Sequence, residues 1–333
     1  MIHRRIDVHH HILPPAYTAW LRSKGVHDAG GRALPDWSVE GALRAMDEHD
    51  IATAIVSVST PGVHLDPSTV RNPVARAKAR EVNEAAARIV EDHPGRFGFF
   101  ATLTLPDVDG ALEEARHAFD TLGASGVILI ANTHGRYLGA PEDGPLLAEL
   151  DRRGAVVFVH PNELPGPRVD GIPPYAADFL LDTTRAASRL VQSGAMRRYP
   201  NLKIILSHAG GFVPYASHRI AGALAAEGKR SPFEVLEDFG SFYFDTALSG
   251  SPAALPSLLA FAKPGHLLFG SDWPYAPSAF VGYFTGQLDG YAALDADGHA
   301  AIDRRNAEAL FPNVVARSDR AVTAADDSCR PTA

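Results

Sequence analysis

Residues 155–161, Ala-Val-Val-Phe-Val-His-Pro, form a short apolar run that ends in a histidine, and comparable runs recur along the chain. Seven others occur, at residues 5–11, 52–59, 97–104, 126–131, 203–208, 242–248 and 267–273. Runs this short and this apolar are typical of strands that are buried on both faces of a parallel sheet. We therefore predict eight buried parallel strands.

The segments between these runs have the apolar spacing of amphipathic helices, most clearly at residues 39–49, 74–92, 110–122 and 177–198. Eight strands alternating with helices predict an α/β fold, a single-domain (β/α)8 TIM barrel over residues 1–313. A doubly wound open sheet is the alternative, but the GxGxxG phosphate loop expected after an early strand is absent from the sequence. Residues 314–333 lack periodicity and predict a disordered, flexible tail.

Composition excludes several classes of function. The 333 residues include 31 Lys and Arg against 39 Asp and Glu, and this net acidity argues against nucleic-acid binding. The sequence shows no apolar stretch long enough to span a membrane and no secretory signal, so we expect a cytoplasmic protein that does not bind membranes. The single cysteine, Cys329, excludes a cysteine-built zinc site, and its place in the predicted tail argues against a catalytic thiol.

Polar residues lie near the carboxyl ends of four predicted strands. His9 and His11 share one face of the first strand because side chains alternate along a strand. His160, His208 and Asp272 lie at or near the ends of the fifth, sixth and eighth strands. The active site of such a barrel lies at the carboxyl ends of its strands, so these five residues predict a metal site. Imidazole and carboxylate donors suit Zn²⁺, and Mn²⁺ or Fe²⁺ is acceptable.

Each of these residues also has an ordinary structural interpretation. A single histidine after an apolar run, such as His160, is more often hydrogen-bonded than bound to a metal. Asp272 begins a turn in Ser-Asp-Trp-Pro and has the character of a helix N-cap. The occurrence of all five residues at the same predicted end of the barrel favours the metal site.

Four motifs follow one another at these strand ends: Asp7-x-His9-x-His11, Val159-His160-Pro161, Ser207-His208-Ala209-Gly210-Gly211 and Gly270-Ser271-Asp272-Trp273-Pro274. In this order and spacing they resemble the amidohydrolase superfamily, and within it the aminocarboxymuconate-semialdehyde decarboxylase-like branch. The resemblance covers residues 6–312. The segments at residues 58–62, 132–139 and 146–154 resemble those of 6-methylsalicylate decarboxylases.

The resemblance implies that His9, His11, His160 and Asp272 bind one divalent metal ion, either Zn²⁺ or Mn²⁺, with no organic cofactor. It implies that His208 is a general acid/base, and Asp272 is the other candidate proton donor. The implied reaction is non-oxidative decarboxylation of an ortho-hydroxybenzoate, in which the ring carbon that bears the carboxylate is protonated before CO₂ leaves. The alternatives are a mononuclear metal hydrolase of lactones or amides, and a non-catalytic barrel, which the complete ligand set disfavours.

The substrate contacts are less constrained by the sequence. Arg219 lies 11 residues after His208, where the resemblance implies contact with the substrate carboxylate of a neighbouring subunit, and therefore a homodimer. A salt bridge on a helix surface is the alternative for Arg219. Phe212, Trp273 and Tyr275 closely follow the catalytic positions, where they form either a wall for the substrate ring or ordinary packing.

Overall fold

The computed structural model describes residues 3–314. The predicted flexible tail, residues 314–333, lies outside this range except for Val314, whose side chain is buried. Cys329 also lies outside the described residues. Within residues 3–314, none of the helices combines the length and apolar character that crossing a bilayer requires.

Eight parallel strands form one sheet in the order of the chain. They are β1 (Arg5–His11), β2 (Ile51–Ser57), β3 (Phe97–Thr102), β4 (Gly126–Ile130), β5 (Val156–His160), β6 (Lys203–Leu206), β7 (Tyr243–Asp245) and β8 (Leu267–Leu268). The sheet closes on itself where the Val8 N–H donates to the Phe269 carbonyl at 3.0 Å and the His11 N–H donates to the Trp273 carbonyl at 2.7 Å. The predicted (β/α)8 barrel is confirmed.

Helices connect the strands around the barrel. They are α1 (Pro15–Ser23), α2 (Val39–Glu48), α3 (Pro73–Asp92), α4 (Val108–Asp120), α5 (Gly144–Arg152), α6 (Pro174–Gln192), α7 (Ala195–Arg198), α8 (Val213–Gly228), α9 (Pro232–Phe239), α10 (Leu255–Phe261), α11 (Ser278–Asp289), α12 (Ala296–Ala300) and α13 (Asn306–Leu310). Two short hairpins, Asp28–Ala29 with Arg32–Ala33 and Asn132–Thr133 with Arg136–Tyr137, extend the loops after β1 and β4.

The helix boundaries follow from local capping. Ser38, Asn72 and Asp107 cap α2, α3 and α4, because each side chain accepts a hydrogen bond from a backbone N–H of the first turn. The single helix predicted at residues 177–198 is wrong in one respect. Gly194 has φ 76°, a left-handed conformation that ends the helical ladder and separates α6 from α7.

The strands predicted at residues 203–208 and 267–273 are longer than the observed strands. β6 ends at Leu206 and β8 at Leu268. His208 and Asp272 lie beyond them, with φ values of 52° and 62°. This left-handed backbone cannot continue an extended strand, so both side chains project from turns at the carboxyl end of the barrel.

An irregular register in β1 determines which side chains enter the barrel. From Asp7 to His10 the strand advances three residues while β2 advances two, as in a β-bulge. Val8 shares a buried cluster with Phe158, and the His9 ring also packs on Phe158 at a centroid distance of 4.9 Å. The bulge therefore turns two successive residues, one apolar and one a histidine, towards the interior.

The amino-terminal end of the barrel is a packed apolar layer. Phe100 stacks on Phe158 at 5.4 Å and meets Phe311, just after α13, edge-on at 5.8 Å. Val314 belongs to the same cluster. The predicted site residues lie at the opposite end, above this layer.

Candidate active site

Four side chains converge at the carboxyl end of the barrel. Nε2 of His9 lies 3.1 Å from Nε2 of His11 and 3.3 Å from Oδ1 of Asp272, and Nε2 of His11 lies 3.2 Å from the same oxygen. With His160 they offer four donor atoms within 4.8 Å of one another, and all four residues are buried. Nitrogen and oxygen donors at this separation fit one divalent cation.

Each of the three imidazoles is held through its Nδ1 atom. The partners are an Asp245 carboxylate oxygen at 2.7 Å for His9, the Ser57 carbonyl at 3.3 Å for His11 and the Pro161 carbonyl at 2.9 Å for His160. Such contacts fix the tautomer and the ring orientation of metal-ligating histidines, and they leave Nε2 available as the donor.

The electrostatics of the site suit metal ligands. Burial opposes a charge on His9, but the carboxylates of Asp245 and Asp272 outweigh it and raise the pKa of His9 to about 10. Burial likewise opposes the charge of Asp272, but the neighbouring histidines hold its pKa well below the usual range. Burial lowers the pKa values of His11 and His160. An ionised carboxylate and two neutral imidazoles are the protonation states that metal binding requires, and binding of a metal ion would release the proton of His9.

Asp245 is a site residue that the sequence analysis missed. It ends β7 and is fully buried. One of its oxygens contacts His9, and the other accepts the backbone N–H of His208 at 2.8 Å. It therefore orients a predicted ligand and the predicted acid/base together. A lone acid near the end of an apolar strand was the available signal.

We expect Asp245→Asn to weaken metal binding by about 10–100-fold, the usual cost of losing an outer partner of a ligating histidine. The amide keeps the shape of the side chain, but it removes the charge that faces His9. Competition of the purified protein with a chromophoric chelator measures the change. Asp238→Asn, on the outer helix α9, is the control. An unchanged affinity in Asp245→Asn would show that His9 does not depend on this carboxylate.

His208 differs from the three ligands in its surroundings. It is buried, and its Nε2 lies 3.5 Å from Oδ2 of Asp272. Its Nδ1 has no hydrogen-bond partner among the described residues. No outer contact therefore fixes its tautomer, unlike those of His9, His11 and His160. This environment suits a group that exchanges a proton.

A cavity of about 440 Å³ opens above these residues. His160, His208 and Asp272 line its inner end, and Arg32 contributes a cation. The remaining wall is mainly aromatic and aliphatic, with a few hydroxyl groups: Ser59, Thr60, Tyr175, Phe179, Leu180, Leu248, Ser249, Tyr275, Phe280 and Phe284. A flat apolar ring with polar substituents matches this lining.

Of the predicted substrate contacts, one lines the cavity and three do not. Tyr275 lines the cavity, whereas Trp273 stacks on His10 at 4.9 Å and is not among the lining residues. Phe212 precedes α8 and is exposed, and Arg219 is exposed on α8, so neither lines the cavity of its own chain.

The aromatic wall comes mainly from helical residues that the sequence analysis did not select as site residues. Tyr175 and Phe179 lie on α6, and Phe280 and Phe284 lie on α11. Aromatic residues at helical spacing are usually core residues, so their sequence pattern gave no signal for a ligand-binding wall.

Fold and site together define a (β/α)8 barrel with a three-histidine, one-aspartate metal site. An amidohydrolase family model matches residues 6–312. The 6-methylsalicylic acid decarboxylase of Penicillium expansum is 39% identical over 326 residues, which cover 95% of this chain and 99% of that protein. The chain belongs to the amidohydrolase family, and the resemblance inferred from the motifs is confirmed.

Solved structures show the same architecture. The crystal structure of an amidohydrolase matches with a TM-score of 0.85 and 30% identity, covering 92% of this chain and 99% of the other. A dihydroxybenzoic acid decarboxylase from Polaromonas, crystallised with manganese and 2-nitroresorcinol, matches with a TM-score of 0.75 over 92% of this chain and 96% of that one. At 24% identity, this second likeness shows the fold.

Proposed function

We propose that this protein is a metal-dependent, non-oxidative decarboxylase of an ortho-hydroxybenzoate similar to 6-methylsalicylate. The main support for this proposal is the position of His208, which lies beside the metal site and lines the aromatic cavity. The similarity to a 6-methylsalicylic acid decarboxylase over almost the whole of both chains supports the same reaction.

The cavity has the size and polarity for such a substrate. A buried apolar cavity of about 150 Å³ accommodates benzene, so about 440 Å³ leaves room for a benzoate and its substituents. Phe179 and Tyr275 offer apolar faces to the ring. The Arg32 guanidinium and the hydroxyl of Thr60 supply polar contacts for substituents.

His9, His11, His160 and Asp272 would hold the metal. A divalent ion at this site supplies Lewis acidity, which stabilises negative charge on the substrate carboxylate and its ortho oxygen. The outer contacts of the three imidazoles keep these ligands oriented, and the aromatic wall excludes water from the ring. Zn²⁺ is our first choice from the donor set, and the manganese in the related decarboxylase makes Mn²⁺ the alternative.

We assign His208 as the proton donor. Its Nε2–H bond breaks as a C–H bond forms at the ring carbon bearing the carboxylate, and aromaticity is lost. The bond to the carboxylate carbon then breaks, its electron pair returns to the ring, and CO₂ leaves. Water reprotonates His208 after release of the phenol. Asp272 is the alternative donor, but its pKa lies well below the usual range, which suits a ligand better.

A substrate panel tests the proposed function. Purified protein with one equivalent of Zn²⁺ or Mn²⁺ is incubated with 6-methylsalicylate, 2,6-dihydroxybenzoate and salicylate, and CO₂ and the phenol are quantified. We expect equimolar CO₂ and phenol from at least one of these acids. Hydrolysis of a lactone or amide panel without CO₂ release would instead establish the alternative metal hydrolase.

A cytoplasmic location is also part of the proposal.

We also propose a homodimer in which Arg219 reaches the substrate of the other subunit. Arg219 follows Tyr215 by one helical turn on α8, so the two share a face. Tyr215 is 83% exposed, so this face of α8 presents an uncovered aromatic ring. A second copy that covers this face would bury the aromatic ring and direct the arginine towards the neighbouring cavity.

Subunit complementation tests this arrangement. We expect His208→Ala and Arg219→Ala to be nearly inactive separately. If they are mixed under conditions that allow exchange, random pairing should restore about a quarter of wild-type activity, because hybrid dimers contain one complete site. Sedimentation measures the oligomeric state of each sample. Recovery should not occur if Arg219 acts within its own chain, and monomers throughout would contradict the dimer.

A further inference from the structure

Asp182 is a fully buried carboxylate outside the metal site. It lies on α6 and accepts two short hydrogen bonds, one on each oxygen. The side-chain amide of Asn132, in the loop after β4, donates to Oδ1 at 2.8 Å. The backbone N–H of Asn162, in the loop after β5, donates to Oδ2 at 2.8 Å. One helix residue therefore fixes two separate loops.

The network continues to the wall of the cavity. The side-chain NH₂ group of Asn162 donates to the backbone carbonyl of Asn132 at 3.2 Å. The side-chain oxygen of Asn162 accepts a hydrogen bond from the hydroxyl of Thr60. Thr60 and Ser59, in the loop after β2, line the cavity. The hydroxyl of Ser59 lies 3.4 Å from Nε2 of His160. Asp182 is thus linked, through one asparagine, to the polar part of the substrate wall.

We propose that Asp182 is a positioning residue that sets the orientation of the Thr60 hydroxyl towards bound substrate. The proposal rests on the proposed function, because the affected ligand is the aromatic acid. Asp182 does not line the cavity, so it acts through the two loops that it holds, and Asn162 is the link from these loops to Thr60.

The ionised form of Asp182 suits this position, because its two oxygens face two N–H donors. Burial raises the pKa of the group to about 6, so it is charged at neutral pH. In Asp182→Asn, an NH₂ group would face one of these donors. A buried donor left without an acceptor is costly, so the loops after β4 and β5 would shift and carry Asn162 with them.

Steady-state kinetics of Asp182→Asn test the proposal. We expect KM for the aromatic acid to rise about tenfold, as lost polar positioning would produce, with kcat changed by less than about threefold. Metal content should remain one per chain. The matched control is Asp143→Asn, which removes another buried carboxylate from the same region. Asp143 accepts the backbone N–H groups of Gly139 and Ala140, and it makes no hydrogen bond to Asn162. The control should lose stability and keep its KM.

A double-mutant cycle separates positioning from general destabilisation. Thr60→Val alone should raise KM, and adding Asp182→Asn should raise it by less than about twofold more, because both act on one contact. Additive effects on KM, an unchanged KM in Asp182→Asn, or an equal rise in Asp143→Asn would overturn the proposal. If Asp182→Asn does not fold, Asn162→Ser replaces it in the cycle. Wild-type protein without CO₂ release would instead refute the proposed function.

Discussion

His208→Ala should lower kcat for decarboxylation by about 10²–10⁴-fold, the usual contribution of a positioned proton donor. The variant should still bind one metal ion, because the four predicted ligands and their outer partners remain. Single-turnover assays with the aromatic acid and elemental analysis of the same sample measure the two properties. Loss of activity with full metal content would assign His208 to proton transfer rather than to metal binding.

His266→Ala is the matched control for this experiment. His266 precedes β8 and stacks on Tyr243 at 4.0 Å, at the other end of the barrel. Its replacement should reduce stability and leave kcat close to that of the wild type. An active, metal-loaded His208→Ala protein would remove His208 from the chemistry and leave Asp272 as the proton donor.

Removing the metal should lower activity by about 10³-fold or more, because Lewis-acid stabilisation is worth several kcal/mol. Treatment with a chelator followed by desalting gives the apoprotein, and titration with Zn²⁺ or Mn²⁺ gives the stoichiometry and the ion that restores turnover. We expect recovery to saturate at one equivalent. His160→Ala should bind metal poorly and should not recover at that ratio.

Two outcomes of the metal experiment would contradict the prediction. Full activity after verified removal of all divalent ions would refute the metal-dependent mechanism. Saturation at two equivalents would contradict a single metal ion per chain, and it would have to be traced either to the His9 cluster or to the separate group of His3, Asp289 and Asp303. Circular dichroism of the apoprotein is the control, because a folded barrel is needed to attribute the loss to chemistry.

Most of the metal site could be predicted from the sequence because strand periodicity reports it directly. His9 and His11 lie two residues apart on a strand, and His160 ends a run of apolar residues. The apolar runs locate the carboxyl ends of β1 and β5, which finish at His11 and His160. Parallel strands bring those ends together, so local patterns determine a shared position.

Other features depend on contacts that no local pattern reports. Asp245 is a single acid in an apolar strand, and only its distance to His9 shows its role. Phe179 and Phe280 lie on helices, where an aromatic residue usually indicates core packing. Trp273 follows Asp272 directly in sequence, but its ring stacks on His10 outside the cavity lining. After a left-handed turn, therefore, the residue next to a site residue in sequence need not point its side chain into the site.

The packed layer at the amino-terminal end of the barrel limits the routes by which substrate enters and products leave. Phe100, Phe158 and Phe311 close the floor, so acid, carbon dioxide and phenol all pass through the carboxyl-end mouth. The small gas escapes quickly, whereas the phenol retains the ring that the aromatic wall binds. Accumulated phenol should therefore compete with incoming acid, and its removal by a following reaction would determine how long turnover continues.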